Sequence, residues 1–246
     1  LSSINYAKKI QEAILPKKHY LDKFFNDFFV FYQPKDIVGG DFYWYKNFGN
    51  IGVIAAVDCT GHGVPGALTS MIGIALLNEI VGGNKITDPG EILRLLDQGI
   101  LKAFENSESG TNDGMDLSLI TIDFESQTLE YAGAYRPLVM IRKGKLTEYK
   151  ATKMSIGFKD VIHKTFDTTT LAIENGDCFY MFSDGYPDQF GGEKNKKFKT
   201  KVMKEMLVES CDLPMSDQMT NIDNRLTSWM GDAEQVDDVL IVGLRY

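Results

Sequence analysis

From Met115 onward the chain is cut into short apolar or alternating runs (DLSLITIDF, TLEYAGAY, PLVMIRKGKLTEY, KTFDTTTLAI), divided by turn signals such as Arg142-Lys143-Gly144-Lys145. Runs of this length and period read as strands, and connections this short join neighbours as hairpins. Antiparallel sheets with helices packed outside them follow, an α+β architecture rather than a parallel βαβ one.

The first half combines strands with two helices. FFVFY (28–32) and FYWYK (42–46) have strong strand character and are separated by the turn-like QPKDIVGGD. IGVIAAVD (51–58) reads as a buried strand running into the glycine-rich TGHGVPG, after which Pro65 is placed to open a helix over ALTSMIGIALLNEIV. DPGEILRLLDQGILKAF predicts a second helix with Asp88 as cap and Pro89 at its first position, and NSESGTNDG (106–114) predicts a loop. CFYMFSD (178–184) is another buried strand that stops at an aspartate. Helices over roughly 199–210 and 216–230 and a closing strand, VLIVGLRY (239–246), complete the order β, α-α, many β, α, β.

A helix over 2–15 precedes all of this, capped by Ser2 or Ser3 and ended by Pro16. Its apolar set (Ile4, Ala7, Ile10, Ile14) suits docking on a partner helix or on the domain flank. Residues 1–16 are therefore read as a regulatory connector and 17–246 as the catalytic domain.

Composition limits the partners. A chain of 246 residues, 43% hydrophobic, can bury a sizeable core. A net charge of −8 argues against general attraction to nucleic acid or anionic lipid. Cys59, Cys178 and Cys211 are odd in number and lack metal-ligand spacing, so they read as free thiols of a reducing compartment. The apolar stretch 67–81 is interrupted by Thr69, Ser70, Asn78 and Glu79, and neither it nor any other run is expected to span a membrane. A start at leucine without a signal peptide suggests a cytoplasmic piece of a longer protein.

Four aspartates share one local design, each at the end or edge of an apolar strand beside small residues. Asp41 follows Gly39-Gly40, Asp58 ends IGVIAAVD, Asp184 ends FYMFSD, and Asp237 with Asp238 precedes VLIVGL. A carboxylate at the lip of a core strand is costly without a positive partner. Asp58 has no Lys or Arg within ten residues on either side, and the nearest to Asp184 is Lys194. Oxygen-only donors on rigid strands suit Mg²⁺ or Mn²⁺ rather than zinc. The plain alternative is that these are strand-terminal turn residues, for which Asp is common.

In order, VGGDFYW (38–44), VDCTGHGVPGAL (57–68), AGAYRPL (132–138), SDGYPDQFGG (183–192) and EQVDDVLIVG (234–243) resemble the SpoIIE family, a bacterial branch of the type 2C (PPM) metal-dependent protein serine/threonine phosphatases. The resemblance implies a four-layer αββα sandwich of two mainly antiparallel sheets with a binuclear Mn²⁺/Mg²⁺ site at one end. It implies hydrolysis of phosphoserine or phosphothreonine on a partner, anti-sigma-antagonist-like phosphoprotein. An upstream sensor domain, which could tether the full-length chain to a membrane, and pairing of two chains through the N-terminal helix belong to the same expectation.

Carried over by position, Asp41 and Asp58 become the central ligands, Asp58 bridging both ions and the carbonyl of Cys59 adding an oxygen. Asp184 and Asp237 hold the second ion, and Asp238 ranks below Asp237. Such ions, about 3.5–4 Å apart, acidify a bridging water and neutralise phosphoryl oxygens. Asp113 and Asp116 fall near a weaker third-ion position of relatives.

Departures from the family pattern cluster in one place. The usual AGH-N-P segment reads AGAYRP, so Arg136 is either a phosphate contact or, more plainly, an exposed cation at a strand end. Leu240 stands where relatives commonly have Thr, and Gly40 where eukaryotic relatives have Glu. Lys35 is the one basic residue before the first aspartate motif that suggests a phosphate contact. His62 reads as a general acid or as a structural histidine in a glycine turn. The lysines of GGEKNKKFK (191–199) form either a greeting surface for a phosphorylated partner or a solvated loop. Two rival functions stay open: a catalytically silent phosphoprotein-binding module and a hydrolase of small phosphoesters.

Overall fold

The computed structural model describes residues 2–16, 21, 25, 27–105, 113–159 and 163–246. The order is α1 (Ser2–Ile14), β1 (Asp27–Gln33), β2 (Phe42–Phe48), β3 (Ile51–Cys59), α2 (Gly63–Leu77), α3 (Pro89–Ala103), β4 (Met115–Asp123), β5 (Thr128–Ala134), β6 (Leu138–Arg142), β7 (Lys145–Tyr149), β8 (Thr169–Ala172), β9 (Cys178–Phe182), α4 (Gly185–Asp188), β10 (Phe190–Gly191), β11 (Lys196–Lys197), α5 (Thr200–Ser210), α6 (Met215–Met230) and β12 (Val239–Arg245). Residues 106–112 of the expected loop lie outside the described residues.

The strands form two five-stranded sheets, β1-β12-β9-β6-β7 and β2-β3-β4-β5-β8, and a small β10-β11 ribbon, paired antiparallel throughout. Layering follows from side chains that are apolar on both faces of the central strands. In β3, Val53, Ala55 and Val57 join Ile74 and Leu77 of α2 and Ile92, Leu93 and Leu96 of α3 in one core. Ile54 and Ala56, one residue out of phase, join Tyr131, Phe179, Met181 and Val242 between the sheets. A third core sets Tyr180, Phe182 and Ile241 against Met203 and Leu207 of α5 and Ile222 and Leu226 of α6. The result is the expected α+β sandwich of four layers, αββα.

Local chemistry explains the element ends. Asp88 caps α3, its Oδ1 accepting from Glu91 N at 2.7 Å, with Pro89 at the first position. α2 starts two residues before Pro65, which is tolerated because first-turn N–H groups have no intrahelical partner. The helix then continues as a π turn through Asn78–Gly83.

Residues Gly63–Gly83 thus make one continuous 21-residue helix with mean hydropathy 1.5 in its apolar window, long and apolar enough to cross a membrane. That corrects the expectation drawn from its interrupting polar residues. Half of the window is buried, and Ile74, Leu77, Ile80 and Val81 belong to the core under the sheet, which makes it a core helix here.

α1 lies against α2, with Ile10 and Ile14 of the apolar set read from the sequence facing outward. Gln11 and Leu15 are buried while Ile10 and Ile14 are exposed. Gln11 Nε2 donates to Gly39 O at 2.6 Å and to Ser70 Oγ at 3.2 Å, while Gly39 N donates to Gln11 Oε1. These bonds rotate the polar Gln11 inward and turn Tyr6, Ile10 and Ile14 out.

Candidate metal centre and active site

Strand register gathers the acidic residues at one end of the sandwich. Asp58, near the end of β3, pairs directly with Asp116 at the start of β4. Asp184 follows the end of β9, which is antiparallel to β12, so it stands beside Asp237 just before that strand. The two sheets are tied across the cluster, where Asp184 N donates to Asp58 Oδ2 at 3.3 Å. A cavity of about 220 Å³ opens there, lined by Asp58, Cys59, Thr60, Gly61, Asp116, Arg136, Ser155, Phe158, Asp184 and Asp237.

Asp41, expected as a central ligand, is not among the residues lining this cavity; it is buried, 3% exposed, and its Oδ2 has no hydrogen-bond partner. Close packing of glycines seats it. A Cβ on Gly40 would stand 2.5 Å from Gly61 O, and one on Gly66 2.2 Å from the same oxygen, so the loop before Asp41 and the turn into α2 touch through backbone. Asp238 serves that loop rather than the cavity. It is buried, and its carboxylate accepts from Lys35 N at 2.7 Å and Gly40 N at 2.6 Å.

The electrostatics are those of too many carboxylates in too little water. Burial, with Asp58 adding to it against a hydrogen bond from Ser183, holds Asp41 well above the usual carboxylate range. Burial pushes Asp58 up to about 7; Arg136 pulls the other way while Asp184 and Asp116 add to the rise. Asp116 and Asp237 are raised for the same first reason, burial.

Arg136, expected at an exposed strand end, is instead the positive charge inside this cluster, 18% exposed. Its Nη2 donates to Asp184 Oδ2 at 2.6 Å and stands 2.8 Å from Asp58 Oδ2 and 3.6 Å from Asp116 Oδ2. Sequence separation hid this, since Asp58 and Asp184 have no basic neighbour along the chain. Burial works against the guanidinium charge, but the three carboxylates outweigh it and raise its pKa.

The other candidates sit at the rim or outside. His62 is exposed, with Nδ1 2.6 Å from Asp36 Oδ2 and Nε2 3.0 Å from Lys35 Nζ. An ammonium can only donate, so Nε2 accepts and Nδ1–H donates to Asp36. Lys35 and His62 therefore bind each other. Asp113 packs its carbonyl toward Gly157 and does not line the cavity. Of the 191–199 lysines, Lys197 pairs with Asp188 at 2.8 Å.

Residues that sequence reasoning missed come from the loop residues 155–159 and from Lys164. Ser155 Oγ donates to Asp116 Oδ1 at 2.6 Å, and Phe158 walls the cavity. The loop is anchored by Lys164, 3% exposed, whose Nζ donates to Phe158 O, Ser155 O and Asp97 Oδ1 of α3. A buried lysine reaching a helix 67 residues away leaves no local signal in sequence.

Among the described residues no three His, Cys, Asp or Glu side chains close on one point as a ready metal cage, and the guanidinium stands between several of them. The donor set nevertheless fits a hard cation. Four aspartates, Asp58, Asp116, Asp184 and Asp237, line the cavity, and Asp41 carries a buried carboxylate oxygen without a partner.

The family model for stage II sporulation protein E (SpoIIE) matches residues 51–246. The solved SiaA-PP2C domain of Pseudomonas aeruginosa superposes with a TM-score of 0.90 at 31% identity, covering 100% of this chain and 96% of that one. The PP2C phosphatase domain of SpoIIE from Bacillus subtilis, solved with a fragment of its regulatory domain, gives 0.68 at 20% identity over 89% of this chain and 63% of that one. RsbX, solved in complex with magnesium, gives 0.62 at 16% identity over 89% and 94%. No curated protein sequence matches significantly. With its motifs, two-sheet sandwich and acidic cavity in agreement, this chain belongs to the SpoIIE family and carries a PP2C-type phosphatase domain, a fold that supports protein phosphatase activity.

Proposed function

We propose that the domain is a metal-dependent phosphatase that hydrolyses phosphoserine or phosphothreonine on a partner signalling protein. The observation that carries this reading is the convergence of Asp58, Asp184 and Asp237 on one cavity, together with the buried, unpartnered carboxylate oxygen of Asp41, which interacts electrostatically with Asp58. Asp41, Asp58 and the Cys59 carbonyl would hold one Mn²⁺ or Mg²⁺, with Asp58 shared, and Asp184 and Asp237 the other. Bound there, the ions would supply an acidified water and positive charge against the phosphoryl oxygens. Magnesium in the RsbX structure supports the choice of a hard ion.

The protein's own groups prepare the ground. Carboxylates crowded at the mouth of two rigid sheets repel one another and so favour cations over neutral ligands. Arg136 offsets part of that charge, and Asp238 holds the loop that presents Asp41. Lys35, bound to His62, adds positive charge beside the loop that presents Asp41. By family analogy we infer a substrate among anti-sigma-antagonist-like phosphoproteins, a cytoplasmic location for the domain and an upstream sensor before α1.

The test is hydrolysis of p-nitrophenyl phosphate and of phosphorylated candidate partners with Mn²⁺. Activity should vanish in EDTA and be poorly supported by zinc. Full activity in EDTA would overturn the metal reading. Turnover of small phosphoesters without turnover of any phosphoprotein would favour the small-molecule hydrolase, and binding of phosphoprotein without turnover the silent module.

A further inference from the structure

Asp58 and Asp116 face each other across β3 and β4, so two carboxylates share one side of the cavity at neighbouring strand positions. Like charges placed directly opposite in a sheet are unfavourable unless a cation lies between them. Asp116 Oδ1 is taken by Ser155 Oγ, and its Oδ2 faces Arg136 Nη2. The same nitrogen meets Asp58 Oδ2 and Asp184 Oδ2.

The backbone is built to deliver that guanidinium. Tyr135 adopts φ 55°, a left-handed conformation uncommon outside glycine, and Arg136 N donates to Ala134 O at 2.6 Å across it, closing a three-residue turn. Tyr131 Oη donates to Arg136 O at 2.8 Å and pins the other side of the residue. Strain of this kind persists where surrounding structure over-determines it. The side chain is thus pre-set in the cluster, against Asp184 at 2.6 Å and Asp58 at 2.8 Å, with Asp116 at 3.6 Å on its far side.

We propose that Arg136 is a resident cation for the Asp116 edge of the cluster, standing in place of an additional metal ion there. It limits the domain to the ions held by Asp41, Asp58, Asp184 and Asp237. A guanidinium suits this role because it cannot lose its proton in the working pH range and is covalently retained, so that edge stays neutralised at any metal concentration. The proposal rests on the two-ion reading above.

Counting bound Mn²⁺ tests it, by calorimetric titration and native mass spectrometry of the wild type, Arg136→Ala, Asp116→Asn and the double variant. The wild type and Asp116→Asn should bind two ions. Arg136→Ala should gain one further, weaker ion, and Asp116→Asn should remove that gain in the double variant. In EDTA, Arg136→Ala should melt below the wild type, and added Mn²⁺ should restore more of its stability than it adds to the wild type. Arg136→Met, which keeps the stem's packing, carries the same count if the alanine variant does not fold. An unchanged ion count with tighter binding in Arg136→Ala would overturn the proposal, since Arg136 would then be a competitor of the ions rather than a substitute for one. Three ions in the wild type would overturn it as well. Absence of Mn²⁺ binding in the wild type would bring down the two-ion reading beneath it.

Discussion

At the scale of single residues, the decisive quantity is how much negative charge the end of the sandwich tolerates. Asp58 is raised to about 7 by burial first, and neutralising it removes repulsion in the metal-free protein while deleting a ligand from the loaded one. Asp58→Asn and Asp184→Asn should each lower turnover by roughly 100-fold or more, the scale of losing one strong electrostatic contact to a transition state. Melting in EDTA should stay level or rise for both. Near-wild-type turnover by Asp184→Asn would remove it from the ligand set. His62→Ala should be milder, about tenfold or less, because the ring is held at the rim by Asp36 and Lys35. Steady-state kinetics on a common substrate measures all three.

At the scale of elements, residues 155–159 are held to the sandwich by backbone bonds between Ile156 and Met115 and by a buried ion pair, and α1 by side chains. Asp97 of α3 accepts from Gly157 N at 2.8 Å and from Lys164 Nζ at 3.2 Å, and both acid and amine are buried. Asp97→Ala strands a buried ammonium, so it should destabilise the fold by about 3 kcal/mol, the usual result of removing one partner of a buried pair. Chemical denaturation would measure this. Equal midpoints for variant and wild type would show that the pair does not hold the loop.

α1 presents Tyr6, Ile10 and Ile14 outward at four-residue intervals. It is about four turns long, too short to be stable alone, so its helicity depends on what it packs against. A connector role for α1 would act through the hydrogen bond of Gln11 to Gly39, two residues before Asp41. With a dimeric coiled coil fused upstream in each of seven heptad registers, activity should vary with register. Equal activity in all seven, together with a monomeric mass for full-length and truncated forms, would exclude the connector role.

At the scale of the whole molecule, the site bridges two sheets, so anything bound there clamps them together. Ligation of the native state alone adds about 2.7 kcal/mol when free metal is a hundredfold above its dissociation constant. For a domain of this size that corresponds to a rise in melting temperature of roughly 5–10 °C. Differential scanning calorimetry with Mn²⁺ and with EDTA should show the gap. A melting temperature indifferent to Mn²⁺ would mean that the carboxylates do not share an ion between the sheets.

What the sequence determined by itself was whatever short-range physics controls. The hairpin of β6 and β7 follows from Lys143-Gly144, which both take positive φ, the cap of α3 follows from Asp88-Pro89, and the four aspartates announce themselves at strand ends. Apolar runs without alternation indicated strands covered on both faces. Only the tertiary structure decided which strands meet, since β1 pairs with β12 from the opposite end of the chain through faces that any apolar strand could offer. It also decided which stripe of α1 turns inward, because hydrogen bonds of Gln11 to Gly39 and Ser70 outweighed the apolar pattern. And it decided where Arg136 goes. A charge finds its partners through space, and no periodicity along the chain records that a strained turn at Tyr135 aims this cation at Asp58, Asp116 and Asp184.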